Sequence, residues 1–356
     1  MILKSRKKLS TPYRRLIFCL SWFDMCYSLG SMLSFLPAPA AEHKWGSIGN
    51  RRTCSAQGFI IFLGVTGGPL YNLGLCIFYL SVVVFSITTR KFVMYVEPLL
   101  HIFPIPYSFT IGIFLWVKGY YNAGPDYSVC WVSPYPTQCL TDSTVPCERG
   151  EKAVTYRWLF IAYPITFVFL VIITTMSLII WRVWKQEKSV ESYRFKQLAM
   201  RRSLRESNFA FPSDSTFQQE EEDSRRQNNR QSIFPFRRSR KFSGTGRRLS
   251  LMIKQSKKNK EVMLQAFCYV LCYVVTWILP YTNQTMEGMK MKVPYALRLT
   301  SRFINPGQGI LNILVYTRPH VNSLRRAYPE YSWLKAFTIV VKSGGDNDGI
   351  VRKRRQ

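Results

Sequence analysis

The chain alternates between long uncharged runs and dense basic stretches. Residues 159–181 hold no charged side chain, whereas 182–261 hold 21 Lys and Arg. A helix must stay apolar over about 20 residues to cross ~30 Å of hydrocarbon. The runs that reach or approach this length are 16–36, 59–85, 93–117, 158–184, 262–280 and 293–316. The third carries Glu97 with Pro98, Pro104 and Pro106, and the sixth carries Arg298 and Arg302. Proline is tolerated inside a span where neighbouring helices satisfy the carbonyls it frees. The pattern therefore predicts an all-α, multi-pass transmembrane helical bundle of six spans. Gly64, Gly67, Gly68 and Gly74, with Pro69, predict a closely packed and bent second span.

This reading divides the chain into five parts. The first four spans occupy 1–184, a long basic cytosolic loop 185–261 and the last two spans 262–316. An amphipathic membrane-surface helix follows over 317–340, and a flexible basic tail over 341–356. Residues 185–204 read as a charged continuation of the fourth helix. From 205 to 256 periodicity is lost, and a composition rich in Ser, Gln, Asn and Arg predicts disorder in the middle of the loop. Arg247-Arg248-Leu249-Ser250 in this loop is a basic-directed phosphorylation pattern with Ser250 as acceptor. After Tyr316, the residues Leu324, Tyr328, Tyr331, Leu334 and Phe337 recur at helical spacing, which predicts the surface helix. Pro329 is expected to break or kink it.

Composition adds an orientation. The 356 residues include 49 Lys and Arg against 20 Asp and Glu, a net charge of +29. Mean hydropathy is −0.04 because the polar loops dilute the apolar runs. Of the 49 basic residues, 38 fall in 1–15, 86–92, 182–261 and 317–356, and 9 fall in the segments between the alternate spans. Cytosolic loops carry the excess of Lys and Arg. Both termini are therefore expected in the cytosol, at the plasma membrane or another cellular membrane. A basic surface of this kind faces a lipid bilayer, and no nucleic-acid partner is expected.

The cysteines agree with this topology. Cys54, Cys130, Cys139 and Cys147 fall in the two larger loops assigned outside, where disulfides form. The reading pairs Cys54 with Cys130 and lets Cys139 and Cys147 close a short local loop; free thiols are the alternative. Cys268 and Cys272 lie one turn apart without His or acid nearby, so no metal site is expected. The sequon Asn283-Gln284-Thr285 falls in an expected outer loop near the membrane and makes Asn283 a weak glycosylation acceptor.

Catalysis is not expected. The chain has three histidines, and neither a phosphate-binding G-x-x-x-x-G-K-[ST] run nor a G-x-S-x-G elbow occurs. No cofactor is implied. Polar side chains inside spans are costly and so mark function or structure. Asp24 sits about 12 Å into the first span at 1.5 Å per residue. Its expected partners are Asn312 or Gln308 of the last span, with Asn72 of the second span also within the cluster; Asn305 is a further candidate. Arg298 and Arg302, at i and i+4, share a helix face in the outer half of the last span. They read either as contacts for an anionic ligand group or as partners of Glu148 or Glu151. Trp131, with the outer-loop tyrosines 120, 121, 127 and 135, is a candidate ligand contact. Trp277, three residues before Pro280, reads either as a rotamer switch or as core packing.

Several of these residues fall into a familiar order. Tyr13-Arg14-Arg15-Leu16-Ile17 followed by Leu20-Ser21 and Asp24 resembles the second helix of G-protein-coupled receptors. Cys54, Tyr71-Asn72-Leu73, Leu75-Cys76 and Tyr79-Leu80 resemble their third helix with its outer cysteine. Cys130-Trp131 resembles the Cys-Trp pair of the secretin/adhesion and cyclic-AMP-receptor-like groups. Gln308-Gly309, Asn312, Val315-Tyr316 and Arg318-Pro319 resemble the end of their seventh helix. The resemblance covers about residues 4–335 and implies that the six spans are equivalent to helices two to seven. It implies a first helix upstream of Met1, an extracellular ligand of unknown identity and a heterotrimeric G protein on the cytosolic face. It implies that Cys54 and Cys130 tether the second outer loop. The Asp-Arg-Tyr triplet of rhodopsin-like receptors is absent; the matching stretch reads Tyr79-Leu80-Ser81-Val82-Val83-Val84. That departure favours the cyclic-AMP-receptor-like and secretin-like side. A transporter or channel-like bundle is the alternative, but no internal repeat or pore-lining ring is evident.

Overall fold

A computed structural model describes residues 9–40, 46–124, 129–140, 144–209, 240–289 and 291–344. The chain is mostly helical and divides into two compact units, 1–179 with 262–356, and 180–261.

Helix α1 is Pro12–Met32, started by a proline at a position that needs no amide donor. Helix α2, Arg51–Val83, begins with a capping box: the Asn50 side chain accepts from the Thr53 amide, and Thr53 Oγ1 accepts from the Asn50 amide. Buried residues surround α2 on most of its circumference, which makes it the central helix of the first unit. Helix α3, Thr89–Val117, contains a π-helical stretch at Phe92–Val96 and restarts at Pro104. Helix α4 comprises Ala153–Arg157, a π-helical turn at Trp158–Ala162 and Tyr163–Phe209. Helix α5 is Arg240–Gly288 with Pro280 inside it. Helices α6 (Tyr295–Ile304) and α7 (Gln308–Ala327) are separated by a 3-10 turn at Asn305–Gly307. Helix α8 is Trp333–Lys342.

The packing of α1 on α2 rests on small residues. A Cβ at Gly64 would lie 2.5 Å from the Tyr27 Cβ, and one at Gly67 would strike the Phe23 ring. Only a hydrogen side chain lets the two backbones approach this closely. Between α3 and α4, strand β1 (Tyr121–Ala123) pairs antiparallel with β2 (Cys130–Val132), with Ala123 opposite Cys130. The Cys54–Cys130 disulfide ties this hairpin to the start of α2.

Four helices are long and apolar enough to cross a membrane among the described residues: Arg51–Val83, Thr89–Val117, Ala153–Met200 and Ser250–Met286. The two other expected spans, 16–36 and 293–316, are helical but fall outside this set. Arg14, Arg15 and Asp24 dilute the first. The second is split at Pro306, which lacks an amide proton and tightens the chain into the 3-10 turn. The expected surface helix also differs in detail. Helix α7 continues through Pro319 to Ala327, the break falls around Pro329, and α8 packs Ala336 and Val340 on Val321 and Leu324.

In the second unit the backbone is helical from 180 to 209 and from 240 to 261. Gln255 donates to Asn259, which donates to Gln186, and Lys260 pairs with Glu187 at 2.8 Å. Composition alone gives no helix over 205–209 or 240–256; helix propagates cheaply from an established segment. Residues 210–239 lie outside the described set.

Because Gly67 closes on Phe23, Gly67→Val is expected to cost about 1–3 kcal/mol through overpacking. A thermal melt of the detergent-solubilised chain checks this; an unchanged midpoint would contradict the contact.

Candidate functional site

The first unit holds an open cavity of about 670 Å³. Its walls differ in chemistry. Helices α2 and α4 supply Ile61, Val65, Ile161, Ala162 and Ile165. Helix α1 supplies Tyr27, Ser28 and Ser31. Helices α5 and α6 supply Asn283, Gln284, Arg298, Ser301 and Arg302. Trp131 of the hairpin, and Trp277 and Pro280 of α5, also line it. Of the residues assigned from sequence to ligand contact and switching, Trp131, Trp277, Pro280, Arg298 and Arg302 share this cavity, whereas Tyr120, Tyr121 and Tyr135 do not line it. The π-helical turn of α4 carries Ile161 and Ala162 into its wall.

One side chain organises the hairpin end of the cavity. Gln57 is buried; its Nε2 donates to the carbonyls of Gly30 (2.9 Å) and Ser34 (2.8 Å), and its Oε1 accepts from the Cys130 amide (3.0 Å). Helix α1, helix α2 and the hairpin therefore meet on one amide. Cys139 and Cys147 form the second disulfide. Beyond the helices, burial, with Arg51 nearby, holds the Arg149 guanidinium below its ordinary pKa. Glu148 pairs with Arg51 at 3.7 Å, both well exposed.

The polar residues within the helices form two connected contacts rather than one cluster. Asn312 Nδ2 donates to Asp24 Oδ2 at 2.6 Å, in the buried interior. Gln308 Oε1 accepts from Trp277 Nε1 at 2.5 Å and from Thr276 Oγ1 at 3.4 Å. Gln308 and Asn312 are one turn apart on α7, so α7 carries both contacts. Gly68 and Gly309 border Asp24: added Cβ atoms there would sit in ordinary contact, 3.6 and 3.8 Å from its side chain. Asn72 donates to the Gly68 carbonyl of its own helix, so its amide group serves α2.

The end of the unit opposite the hairpin holds an aromatic group. Tyr13 of α1 packs on Phe78 and Tyr79 of α2 and stacks on Tyr316 of α7 at 6.4 Å. Its hydroxyl accepts from Gln265 Nε2 at 2.5 Å and lies 3.3 Å from the Tyr269 hydroxyl. Four helices meet there. Arg15 holds Glu97 through two hydrogen bonds of 2.5 and 2.6 Å, and Tyr71 bonds His101 at 2.9 Å. Sequence reasoning missed Gln57, Gln265 and the Arg15–Glu97 pair. The signals were a Glu inside an apolar run and the i,i+4 pair Glu97/His101.

Two placements correct the sequence reading. Asn283 is not in an outer loop: it lies in α5, buried, and donates to Ser301 Oγ at 2.7 Å. An oligosaccharide cannot be attached to an amide held inside a bundle, so Asn283 is not a glycosylation site. Glu148, offered as a partner of Arg298 or Arg302, is the partner of Arg51. Ser250 is exposed on the helical backbone of α5. Tyr127 lies outside the described residues, as does the Asn305 side chain. Among the described residues no three His, Cys, Asp or Glu side chains gather as metal ligands.

No family model and no curated protein matches the chain.

Replacing Gln57 by Leu keeps the volume and leaves the Gly30 and Ser34 carbonyls and the Cys130 amide unpartnered. Each unsatisfied buried group costs about 1–3 kcal/mol. Amide hydrogen exchange across Cys130–Val132 is expected to accelerate at least about tenfold; exchange at the wild-type rate would contradict the role given to Gln57.

Proposed function

We propose that the chain is a transmembrane signalling receptor of the G-protein-coupled type. It spans the membrane six times in 1–316, with both termini in the cytosol and α8 on the inner leaflet. An extracellular ligand enters the cavity, and a heterotrimeric G protein docks at the opposite end.

The observation that carries this reading is the double role of Trp277. It lines the cavity and donates to Gln308 on α7. One turn further along α7, Asn312 holds Asp24 of α1. Helix α7 then reaches Tyr316, which stacks on Tyr13, and Tyr13 is bonded to Gln265 of α5. A ligand that moves Trp277 acts on one end of a connected set of contacts; the other end holds α5 against α1 and α7. Ligand binding shifts the population between a closed state with these contacts and an open state without them. The sequence order of the motifs and the basic loops on one side support the same reading.

The test is GTP exchange on a purified heterotrimeric G protein by the full chain in lipid nanodiscs. Gln265→Ala and Tyr13→Phe weaken the closed state, so both are expected to raise ligand-free exchange. A bias of about 1.4 kcal/mol is a tenfold change in the open-to-closed ratio. Solute flux through reconstituted vesicles, with no exchange by wild type or either variant, would contradict the receptor reading in favour of a transporter or channel.

A further inference from the structure

A second open cavity, of about 270 Å³, is lined by α2, α3 and α4. Ile165 lines both cavities; among the described residues they share no other lining side chain. Each of the three helices brings a proline to it: Pro69, Pro104 and Pro164. A proline inside a helix gives up a backbone hydrogen bond and bends the helix at the preceding turn. The carbonyl it frees needs another donor. At Pro164 that carbonyl belongs to Phe160, in the π-helical turn of α4, and the Tyr107 hydroxyl of α3 donates to it at 2.9 Å.

The polar groups of this cavity are already engaged. Among the described residues its lining has no Asp, Glu, Lys, Arg or His, and its polar side chains are Thr66 and Tyr107. Thr66 Oγ1 bonds the Phe62 carbonyl at 2.8 Å and the Ser108 hydroxyl at 2.9 Å. With Tyr107 committed to Phe160, the lining side chains have no donor left for a ligand. A ligand acceptor brought there would stay unpaired, which is costly away from water. The remaining surface is hydrocarbon. Phe103 and Tyr107 stack at 5.7 Å, and Phe160 and Phe167 add two rings from α4. Leu73 and Ile77 of α2 are aliphatic. Phe103 and Phe167 are 60% and 65% exposed, so the cavity reaches the outside of the unit. Helices α3 and α4 are both long and apolar enough to cross a membrane, and what meets a spanning helix there is lipid hydrocarbon.

We infer that this second cavity binds an uncharged aromatic molecule of about two fused rings, taken up from the bilayer. An apolar cavity of about 150 Å³ already admits benzene, so 270 Å³ suits a larger ring system. Rings at the lining favour another ring, in offset or edge-to-face contact, over a saturated chain. The absence of a spare donor selects against polar isosteres. The site stands whether or not the first cavity takes a signalling ligand.

The test uses the full chain in lipid nanodiscs and a naphthalene that carries a photoreactive diazirine. Labelled residues are read by mass spectrometry. Labelling within 99–107 and 160–168 is compared with labelling at Leu170 and Ile173, which are exposed on α4 outside the cavity. Competitors are dosed to equal content in the bilayer. Plain naphthalene is expected to suppress the cavity signal and leave that of Leu170 and Ile173. Decalin, a saturated bicycle of similar outline, should compete about two- to tenfold less well. Quinoline, which adds one acceptor to the naphthalene outline, should compete about three- to tenfold less well. Decane stands for a lipid chain and should do no better than decalin. Leu73→Trp and Ile77→Phe, made separately, fill the cavity and should abolish the competable signal; a variant that keeps the wild-type melting midpoint is the one that counts, and the competitor series needs wild type alone. Labelling spread evenly over cavity and exposed residues would overturn the inference. So would competition by quinoline equal to that of naphthalene, or an undiminished signal in a folded variant. Decane matching naphthalene would assign the cavity to lipid chains and overturn it as well.

Discussion

A carboxyl group inside an apolar helical bundle must find a partner, and Asp24 finds Asn312. The side chain lies in the buried interior, so its hydrogen bond is strong and its loss costly. The bond joins α1 to α7, two helices far apart in the chain. Gly68 and Gly309 border Asp24, and Gly64 and Gly67 let α2 close on α1. Helix α7 is consequently fixed in rotation. That rotation sets Gln308 toward Trp277 on one side and Tyr316 toward Tyr13 on the other.

A second constraint governs the cavity end. Gln57 and the Cys54–Cys130 disulfide hold the hairpin on α2, and the hairpin carries Trp131 into the cavity wall. Both constraints are polar or covalent contacts in an apolar setting. Their role is positional: van der Waals packing dominates between apolar helices in a membrane, and polar contacts decide which faces meet.

The apolar runs and the glycines were legible in the sequence because span length and close helix approach each leave a local mark. Asp24 with Asn312, and the two disulfides, were legible because a costly residue or an oxidised cysteine has few places to go. The division between α6 and α7 was not foreseen; it depends on Pro306 acting within one turn. Asn283 was misplaced because the run 262–280 was ended at Pro280, and α5 continues two turns beyond it. Proline ends a helix only where the freed carbonyl has no other outlet. Gln57 could not be found by pattern, since its partners are backbone groups of three separate segments. The gathering of Arg298, Arg302, Trp131 and Trp277 around one cavity is likewise a property of the fold, although each residue stood out singly.

The central claim is that the Asp24–Asn312 bond fixes α7 against α1. It is tested most directly by a double-mutant cycle on the unfolding of the solubilised chain, with Asp24→Ala, Asn312→Ala and the double variant. A hydrogen bond to a carboxyl in a buried site predicts a coupling of about 1.5–3 kcal/mol. Additive effects, with coupling within about 0.3–0.5 kcal/mol of zero, would contradict the account.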